Sequence, residues 1–256
     1  MKRLRRGSRP AIRVGSSFPD PERCVTSFIP GWLRNGFLNL LRPVPQRLID
    51  RGIHPNAVTT VGFAVTISAG VAFFLGHVRI GGFLVLIGGI FDILDGQVAR
   101  GSGLSSVFGS FYDSTLDRIS EIVVFLGILS LYGGGHPDFP LPWMVYPVAL
   151  ALAGSLMVSY TRARAEALGL DCKVGLMQRP ERVVLIGVAA MLFGGAWNGA
   201  VLTGVLLLMA VLTNFTAFQR IVWVYRHTRR EVTRDRVAVA GPRLQRSPKT
   251  QSKRRA

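Results

Sequence analysis

The chain has 256 residues, of which 31 are Lys or Arg and 14 are Asp or Glu, so its formal net charge is +17. Hydrophobic residues make up 49% of it and charged residues only 18%, which argues against a basic disordered protein and against a soluble nucleic-acid binder. A chain that is both basic and apolar is typical of a membrane protein whose positive charge lies in loops and tails.

Two segments precede the first long apolar run. Residues 1–27 form a basic cytosolic segment, and because no apolar stretch follows it directly, we expect no signal peptide. Residues 28–53 predict an N-terminal amphipathic helix lying in the membrane interface. Its apolar side chains recur at roughly helical spacing: Leu33, Phe37, Leu40, Leu41, Val44 and Leu48. Asn56 follows as a candidate N-cap of the next helix.

Runs without charged residues predict the membrane spans of the domain at residues 54–225. Three such runs, at residues 52–78, 139–161 and 183–219, exceed the roughly 20 residues that a spanning helix needs. Glycines around Trp197 and Asn198 interrupt the third run and predict a tight hairpin. Two other apolar segments reach spanning length only by including acidic residues. The sequence therefore predicts an all-α integral membrane protein with six transmembrane helices, at residues 56–76, 80–100, 107–132, 141–166, 180–196 and 200–224.

The distribution of basic residues predicts the orientation. Lys and Arg are concentrated in residues 1–27 and in the tail at residues 226–256, which we expect to be disordered. Both ends are therefore predicted to be cytosolic, which requires an even number of spans. The loops that this places outside contain a single basic residue, Arg79.

Four aspartates lie in the two helices that need acidic residues to reach spanning length. Asp92 and Asp95 are three residues apart and share one helix face, while Asp113 and Asp117 are four apart and share another. Because a short turn joins the two helices, we expect them to be antiparallel neighbours with their carboxylates close together. Close carboxylates repel one another, and Mg²⁺ prefers oxygen ligands. The sequence predicts a site for two Mg²⁺ ions, with Mn²⁺ as an alternative.

The same acidic residues have other interpretations. Single aspartates are often solvated loop residues or ion-pair partners, and a row of carboxylates also suits the cation pathway of a carrier. Arg100 disfavours the carrier, since a fixed arginine beside a cation path serves no purpose, whereas it can contact a phosphate. Glu121, one turn after Asp117, is predicted to pair with Arg118 or with a neighbouring span.

The acidic pattern resembles a known family. The spacing D-x-x-D-G-x-x-A-R-x8-G-x-x-x-D-x-x-x-D is filled at all eight fixed positions, by Asp92, Asp95, Gly96, Ala99, Arg100, Gly109, Asp113 and Asp117. Over about residues 28–225 the chain resembles the CDP-alcohol phosphotransferases. The resemblance implies a six-helix membrane enzyme, a homodimer with a cytosol-facing site at the plasma membrane. Such an enzyme transfers a phosphatidyl-type group from a CDP-linked lipid to an alcohol and releases CMP.

The resemblance also implies roles for single residues. Asp92 and Asp113 would bridge both ions, Asp95 would bind one ion, and Asp117 would bind the other and accept the proton of the acceptor hydroxyl. Contacts with the CDP-lipid are implied for Asn56, Ala57, Val58, Thr59, Gly96, Ala99, Arg100, Ser106 and Gly109.

Arginines at three predicted helix ends bear on the acceptor. Anchoring at the cytosolic face would by itself place basic residues there, but these stretches also resemble the bacterial phosphatidylinositol phosphate synthases, whose acceptor is inositol 1-phosphate. Arg162 stands where that branch usually has Lys, and Gln178 where it often has Glu. The implied ligands of the acceptor phosphate are Ser159, Arg162, Arg182 and Arg220. Glycerol 3-phosphate, the acceptor of a phosphatidylglycerophosphate synthase, is the main alternative, and a divalent-cation carrier is a distant one.

Overall fold

The computed structural model describes residues 36, 38–39, 41–170, 172 and 174–244, with side chains described as far as residue 229. Within this part of the chain the fold is all-helical, as predicted, with seven α-helices and no strand. They are α1 (Pro43–Asp50), α2 (Pro55–Phe74), α3 (Val78–Ser102), α4 (Val107–Gly133), α5 (Val145–Ala167), α6 (Arg179–Val188) and α7 (Ala200–Leu244). A 3₁₀ turn at Pro142–Met144 leads into α5, and a π-helical turn at Ala189–Phe193 continues α6.

The start of α2 corrects one prediction. The N-cap is His54 rather than Asn56, because the His54 Nδ1 atom accepts a hydrogen bond of 3.2 Å from the backbone N–H of Asn56. Pro55 explains the shift, since proline has no N–H to satisfy and its fixed φ suits the first helical position. Asn56 therefore lies in the first turn of the helix, with its side chain half-buried.

The predicted hairpin between the last two helices is confirmed. Gly194 and Gly199 bound the turn with φ values of 53° and 66°, and Trp197 and Asn198 have φ values of 52° and 53°. Left-handed backbone conformations are ones that glycine adopts at little cost and that end helices. The long apolar run is thereby divided into α6 with its π-helical turn and α7.

The C-terminal tail differs from its prediction. Disorder was expected from residue 226, but α7 continues to Leu244. Arg, Glu and Ala in this stretch are good helix formers, and extending an existing helix avoids the unfavourable nucleation step. Residues 245–256 and the basic segment at residues 1–27 lie outside the described residues.

The predicted interfacial helix is described only in part. Its C-terminal portion is α1, in which Val44 and Leu48 are half-buried while Arg47 is exposed. Helix α1 packs against α3. A Cβ at Gly101 would lie 2.7 Å from the Ile49 side chain, so α1 covers the end of α3. Most of residues 28–42 lie outside the described part.

Among the described residues, three helical stretches are long and apolar enough to cross a membrane: Pro55–Phe74, Pro142–Ala167 and Ala200–Arg229. They correspond to the predicted first, fourth and sixth spans. Helices α3 and α4 have the length but contain the four aspartates, which lower their hydropathy, and α6 is short. The count of six spans therefore stays a prediction.

Close helix contacts position the site. Helix α2 packs against α3 and α4, α6 packs against α3, and α5 packs along α7. Small residues allow the approach of α2 and α4, because a Cβ at Gly127 would lie 3.0 Å from the Gly70 carbonyl carbon. The buried core includes Phe73, Phe125, Ile128, Leu131, Met144, Leu206 and Met209. This packing brings the start of α2 beside the start of α4.

Candidate active site

Three of the four motif aspartates form one cluster. Asp92 and Asp95 lie in the C-terminal half of α3, and Asp113 lies in the second turn of α4. A turn at Gly103, with a φ of 69°, joins the two helices. Each of these aspartates offers a carboxylate oxygen within 4.8 Å of those of the other two. The predicted meeting of carboxylates from α3 and α4 is thus what the structure shows for three of them.

Asp117 lies on the same helix as Asp113 but has a different partner. The Arg179 guanidinium reaches the Asp117 Oδ1 atom at 2.6 Å and the Asp92 Oδ2 atom at 2.7 Å. It therefore ties α6 to both α3 and α4. Arg179 begins a predicted basic helix end, but the sequence predicted no role for it in the site. Its position next to Pro180, at the start of a helix, was the signal available in the sequence.

Thr59 holds one carboxylate of the cluster in place. Its hydroxyl lies 2.6 Å from the Asp95 Oδ2 atom and 3.2 Å from the Pro55 carbonyl oxygen. Both Thr59 and Asp95 are buried. The family resemblance implied that Thr59 contacts the CDP-lipid; in the structure its hydroxyl donates a hydrogen bond to an aspartate.

Replacing Thr59 by Val should weaken divalent-cation binding. The change removes the hydroxyl while keeping the β-branched shape, and loss of a residue that orients a metal ligand typically costs about 10- to 100-fold in affinity. Calorimetric titration with Mn²⁺ would measure the change. Thr60→Val is the matched control, because the Thr60 hydroxyl is exposed and pairs with the Tyr112 hydroxyl at 3.0 Å instead. Equal affinity in both variants would contradict this role of Thr59.

The cluster fits hard divalent cations. Its donors are all carboxylate oxygens, the ligand type that Mg²⁺ and Mn²⁺ prefer. A positively charged guanidinium already lies against Asp92 and Asp117, which shows that this position accommodates a cation. Asp92, Asp95 and Asp113 could hold one ion, and Asp117 with Asp92 could contribute to a second.

An open cleft adjoins the aspartates. It has a volume of about 440 Å³ and lies between residues 38, 39 and 42 on one side and α3 on the other. Asp92, Gly96 and Arg100 line it, together with Arg42 and Gln97, for which the sequence predicted no role. A cleft of this size is typical of small-molecule sites. A Cβ at Gly96 would lie 3.3 Å from the Arg100 guanidinium, so the glycine leaves space beneath that group.

Other predicted CDP-lipid residues lie where α2 meets α4. A Cβ at Gly109 would lie 3.3 Å from the Asn56 Oδ1 atom. Ser106 is the N-cap of α4, because its hydroxyl accepts a hydrogen bond of 2.9 Å from the Gly109 N–H. Ala57 is exposed, whereas Val58 is buried. The structure therefore gives Ser106 a capping role and places Val58 in the interior.

Arg182, a predicted acceptor ligand, forms a buried ion pair. Its side chain is only 1% exposed, and it donates hydrogen bonds to both carboxylate oxygens of Glu121, at 2.8 and 3.3 Å, and to the Met177 carbonyl oxygen at 3.2 Å. Ser155 donates a further hydrogen bond to Glu121. The prediction that Glu121 pairs with a neighbouring helix is confirmed. Glu121 and Arg182 line a cavity of about 40 Å³ together with Arg179 and Asp92.

The other acceptor residues lie at the same end of the bundle. Arg220 of α7 is 2% exposed and donates hydrogen bonds to the carbonyl oxygens of Val174, at 2.9 Å, and Val158. Arg162 of α5 is about half exposed and pairs with Glu166 at 2.8 Å. The charges of Arg162 and Arg182 both act on Arg220, and Ser159 follows Val158 in the chain. Arg162, Arg182 and Arg220 thus lie on three helices at this end of the bundle, and Arg182 lines a cavity together with Asp92.

The sequence matches a known protein family. The family model for CDP-alcohol phosphatidyltransferases matches residues 52–216, well over half of the chain. The chain belongs to this family. The match extends from the start of α2 into α7 and contains all four aspartates of the CDP-alcohol phosphatidyltransferase pattern. The family resemblance deduced from the sequence is thereby confirmed.

Several relatives of this CDP-alcohol phosphatidyltransferase have assigned activities. An archaetidylinositol phosphate synthase from Methanothermobacter thermautotrophicus is 35% identical over 198 residues, covering 75% of this chain and 96% of the relative. A phosphatidylinositol phosphate synthase from Mycobacteroides abscessus is 33% identical over 190 residues, covering 73% of this chain and 84% of the relative. Both names denote synthases of a lipid-linked inositol phosphate.

Solved structures share the fold. The crystal structure of Mycobacterium tuberculosis phosphatidylinositol phosphate synthase with CDP-DAG bound has a TM-score of 0.64 and 31% identity, covering 72% of this chain and 92% of that chain. The same enzyme in complex with manganese and citrate has a TM-score of 0.64 and 31% identity, covering 72% and 88%. A manganese complex of a relative agrees with the divalent-cation chemistry of the aspartate cluster.

Proposed function

We propose that this CDP-alcohol phosphatidyltransferase moves the phosphatidyl group of CDP-diacylglycerol to 1D-myo-inositol 1-phosphate, giving phosphatidylinositol phosphate and CMP. The observation that carries the proposal is the joint presence of the carboxylate cluster and of arginines from three helices at one end of the bundle. The first suits a CDP-lipid diphosphate, and the second suits an acceptor that is itself anionic. The inositol phosphate synthases among the relatives support this acceptor.

The donor side of the proposal rests on the open cleft. Arg100 and Arg42 supply positive charge along a cleft that also reaches Asp92. A guanidinium donates hydrogen bonds in a planar fork that matches phosphate oxygens. We assign the CDP diphosphate to this cleft, with Gly96 leaving space for it. The CDP-DAG complex of the mycobacterial neighbour supports a CDP-diacylglycerol donor.

The acceptor side rests on Arg162, Arg182 and Arg220. Arg162 is the most accessible of the three, since it lies half exposed with an ion pair to Glu166. Surface ion pairs of this kind contribute little stability, so Arg162 can exchange Glu166 for a phosphate at small cost. Arg182 and Arg220 are held by the protein and supply fixed positive charge behind it.

The chemistry requires a weak nucleophile to attack a diphosphate. Divalent ions held by Asp92, Asp95, Asp113 and Asp117, two Mg²⁺ in our proposal with Mn²⁺ as an alternative, would neutralise negative charge on the diphosphate. Asp117 accepts the proton of the acceptor hydroxyl as general base. Thr59 fixes the orientation of Asp95 by its hydrogen bond of 2.6 Å.

We further propose that the chain crosses the plasma membrane six times, with both termini and the site in the cytosol. At about 1.5 Å per residue, α3 and α4 are long enough to cross a hydrocarbon core of about 30 Å. Exposed apolar side chains on both helices, including Phe83 and Leu126, would face lipid. The basic terminal segments support the orientation. A homodimer, implied by the family, is part of the same proposal.

An acceptor panel tests the proposed substrate. Purified protein in detergent is given CDP-diacylglycerol and Mg²⁺ or Mn²⁺, with inositol 1-phosphate, glycerol 3-phosphate, inositol or serine in parallel, and CMP release is measured. We expect release at least about tenfold faster with inositol 1-phosphate than with any other acceptor. Activity only with glycerol 3-phosphate would contradict inositol 1-phosphate as the acceptor but leave the proposed mechanism intact. Ion flux in liposomes without any CMP release would instead indicate the cation carrier.

A further inference from the structure

Arg179 binds two of the four aspartates that we assign to divalent ions. Its guanidinium holds Asp92 on α3 at 2.7 Å and Asp117 on α4 at 2.6 Å. Asp92 is also a member of the three-carboxylate cluster with Asp95 and Asp113. Asp92 therefore belongs both to a cluster open to a cation and, with Asp117, to a pair already engaged by one.

The formal charges of the site limit how many divalent ions can bind while Arg179 stays in place. Four carboxylates carry four negative charges, and Arg179 offsets one of them. One divalent ion in the three-carboxylate cluster would leave a single negative charge, so Arg179 and the first ion are compatible. A second divalent ion would make the site positive unless Arg179 withdrew or an anion arrived. Two cations at Asp92 and Asp117 would repel each other at short distance.

Arg179 is free to withdraw in a way that its neighbour is not. Arg179 and Arg182 lie three residues apart on α6, but the Arg182 side chain is 1% exposed and the Arg179 side chain 29%. Arg182 is fixed by Glu121 and by the Met177 carbonyl oxygen. Both arginines line a cavity of about 40 Å³, which has space for at least one water molecule, so the difference between them lies in exposure and hydrogen bonding. Packing therefore does not lock the Arg179 guanidinium.

The position of Arg179 at the start of α6 points the same way. It is the first residue of that helix, where the helix dipole favours anions over cations. Asp92 and Asp117 offset this unfavourable position. Once they bind an ion instead, the most favourable partner for the released guanidinium is a phosphate group.

We propose that Arg179 competes with the second divalent ion for Asp92 and Asp117, so that the two ions bind in order. The cluster of Asp92, Asp95 and Asp113 takes the first ion while Arg179 stays in place. The second ion binds only when Arg179 leaves, and substrate phosphate favours this step by accepting the guanidinium. The inference rests on the proposed metal-dependent function and adds to it a positioning residue that sets the order of metal binding.

A Mn²⁺ titration followed by EPR tests the order in full-length protein stripped of metal with EDTA. In the wild type we expect one ion to give an isolated six-line signal, and a second ion, which broadens that signal by coupling, to bind at least about tenfold more weakly. In Arg179→Gln the second dissociation constant should fall about tenfold or more, so that the coupled pair forms at lower Mn²⁺ concentration. Arg179→Lys keeps the charge but cannot contact both aspartates with a planar guanidinium. Its second dissociation constant should lie between those of the wild type and Arg179→Gln.

Arg164→Gln is the matched control, because Arg164 is an exposed arginine at the end of α5; its titration should equal the wild type's. If Arg179→Gln or Arg179→Lys leaves the second dissociation constant unchanged or raises it, the competition is refuted while the proposed function stands. If the wild type binds no Mn²⁺ at all, both the competition by Arg179 and the proposed metal-dependent function are refuted. Should Arg179→Gln not fold, the Arg179→Lys titration decides alone.

Discussion

Asp117→Asn should lower kcat for CMP release by about 10³-fold, the middle of the range typical of a lost general base. The amide has the same size but cannot accept the hydroxyl proton, and it also loses the charge that holds Arg179 at 2.6 Å. Binding of CDP-diacylglycerol should fall much less than turnover, because other residues line the cleft that we assign to the donor and three of the four proposed metal ligands remain. Steady-state kinetics with inositol 1-phosphate would separate the two effects.

Asp50→Asn is the matched control for this variant. Asp50 is an exposed residue of α1 whose carboxylate accepts a hydrogen bond of 3.3 Å from Gln46. The same chemical change there should leave kcat within about twofold, as is usual for surface substitutions. Near-normal turnover by Asp117→Asn would remove Asp117 from its proposed role, whatever acceptor is used.

Glu121→Ala should be the most destabilising single change in the site, at about 3–5 kcal/mol of unfolding free energy. The change leaves the buried Arg182 charge without its carboxylate partner. The Arg182 side chain is 1% exposed and makes two of its three hydrogen bonds to Glu121. The loss can be measured by chemical unfolding in detergent.

Two further variants check that explanation. Glu166→Ala removes a carboxylate of the exposed Arg162–Glu166 pair and should cost less than about 1 kcal/mol. The double variant Glu121→Ala/Arg182→Met removes both buried charges and should recover much of the loss, since apolar side chains can replace a buried pair. If Glu121→Ala is no more destabilising than Glu166→Ala, the buried pair does not hold the helices together.

The sequence predicts best those features that depend on the spacing of residues close together in the chain. Asp92 and Asp95 had to share a face of one helix, and a short connection had to bring Asp113 alongside them. The glycines around Trp197 and Asn198 predicted the break between α6 and α7 for the same reason. Backbone geometry over a few residues determines these features, and the structure contains them.

Features that depend on distant parts of the chain were not predictable in this way. Nothing in the spacing shows that Arg179 reaches two aspartates more than 60 positions earlier, or that the Thr59 hydroxyl turns to Asp95. Both depend on how α2 and α6 pack against α3. The cap at His54 was missed because proline geometry at Pro55 outweighed the preference for asparagine at an N-cap. The extension of α7 was missed because helix propensity outweighed the basic composition of the tail.

Product analysis by mass spectrometry tests the central claim most directly. Protein reconstituted in liposomes receives CDP-diacylglycerol, Mg²⁺ or Mn²⁺ and inositol 1-phosphate, and both the lipid and the nucleotide products are quantified. We expect a new lipid with the mass of phosphatidylinositol phosphate, formed in equal amount with CMP and absent when EDTA is added. CMP without that lipid, or no CMP with any alcohol in the panel, would contradict the proposed function.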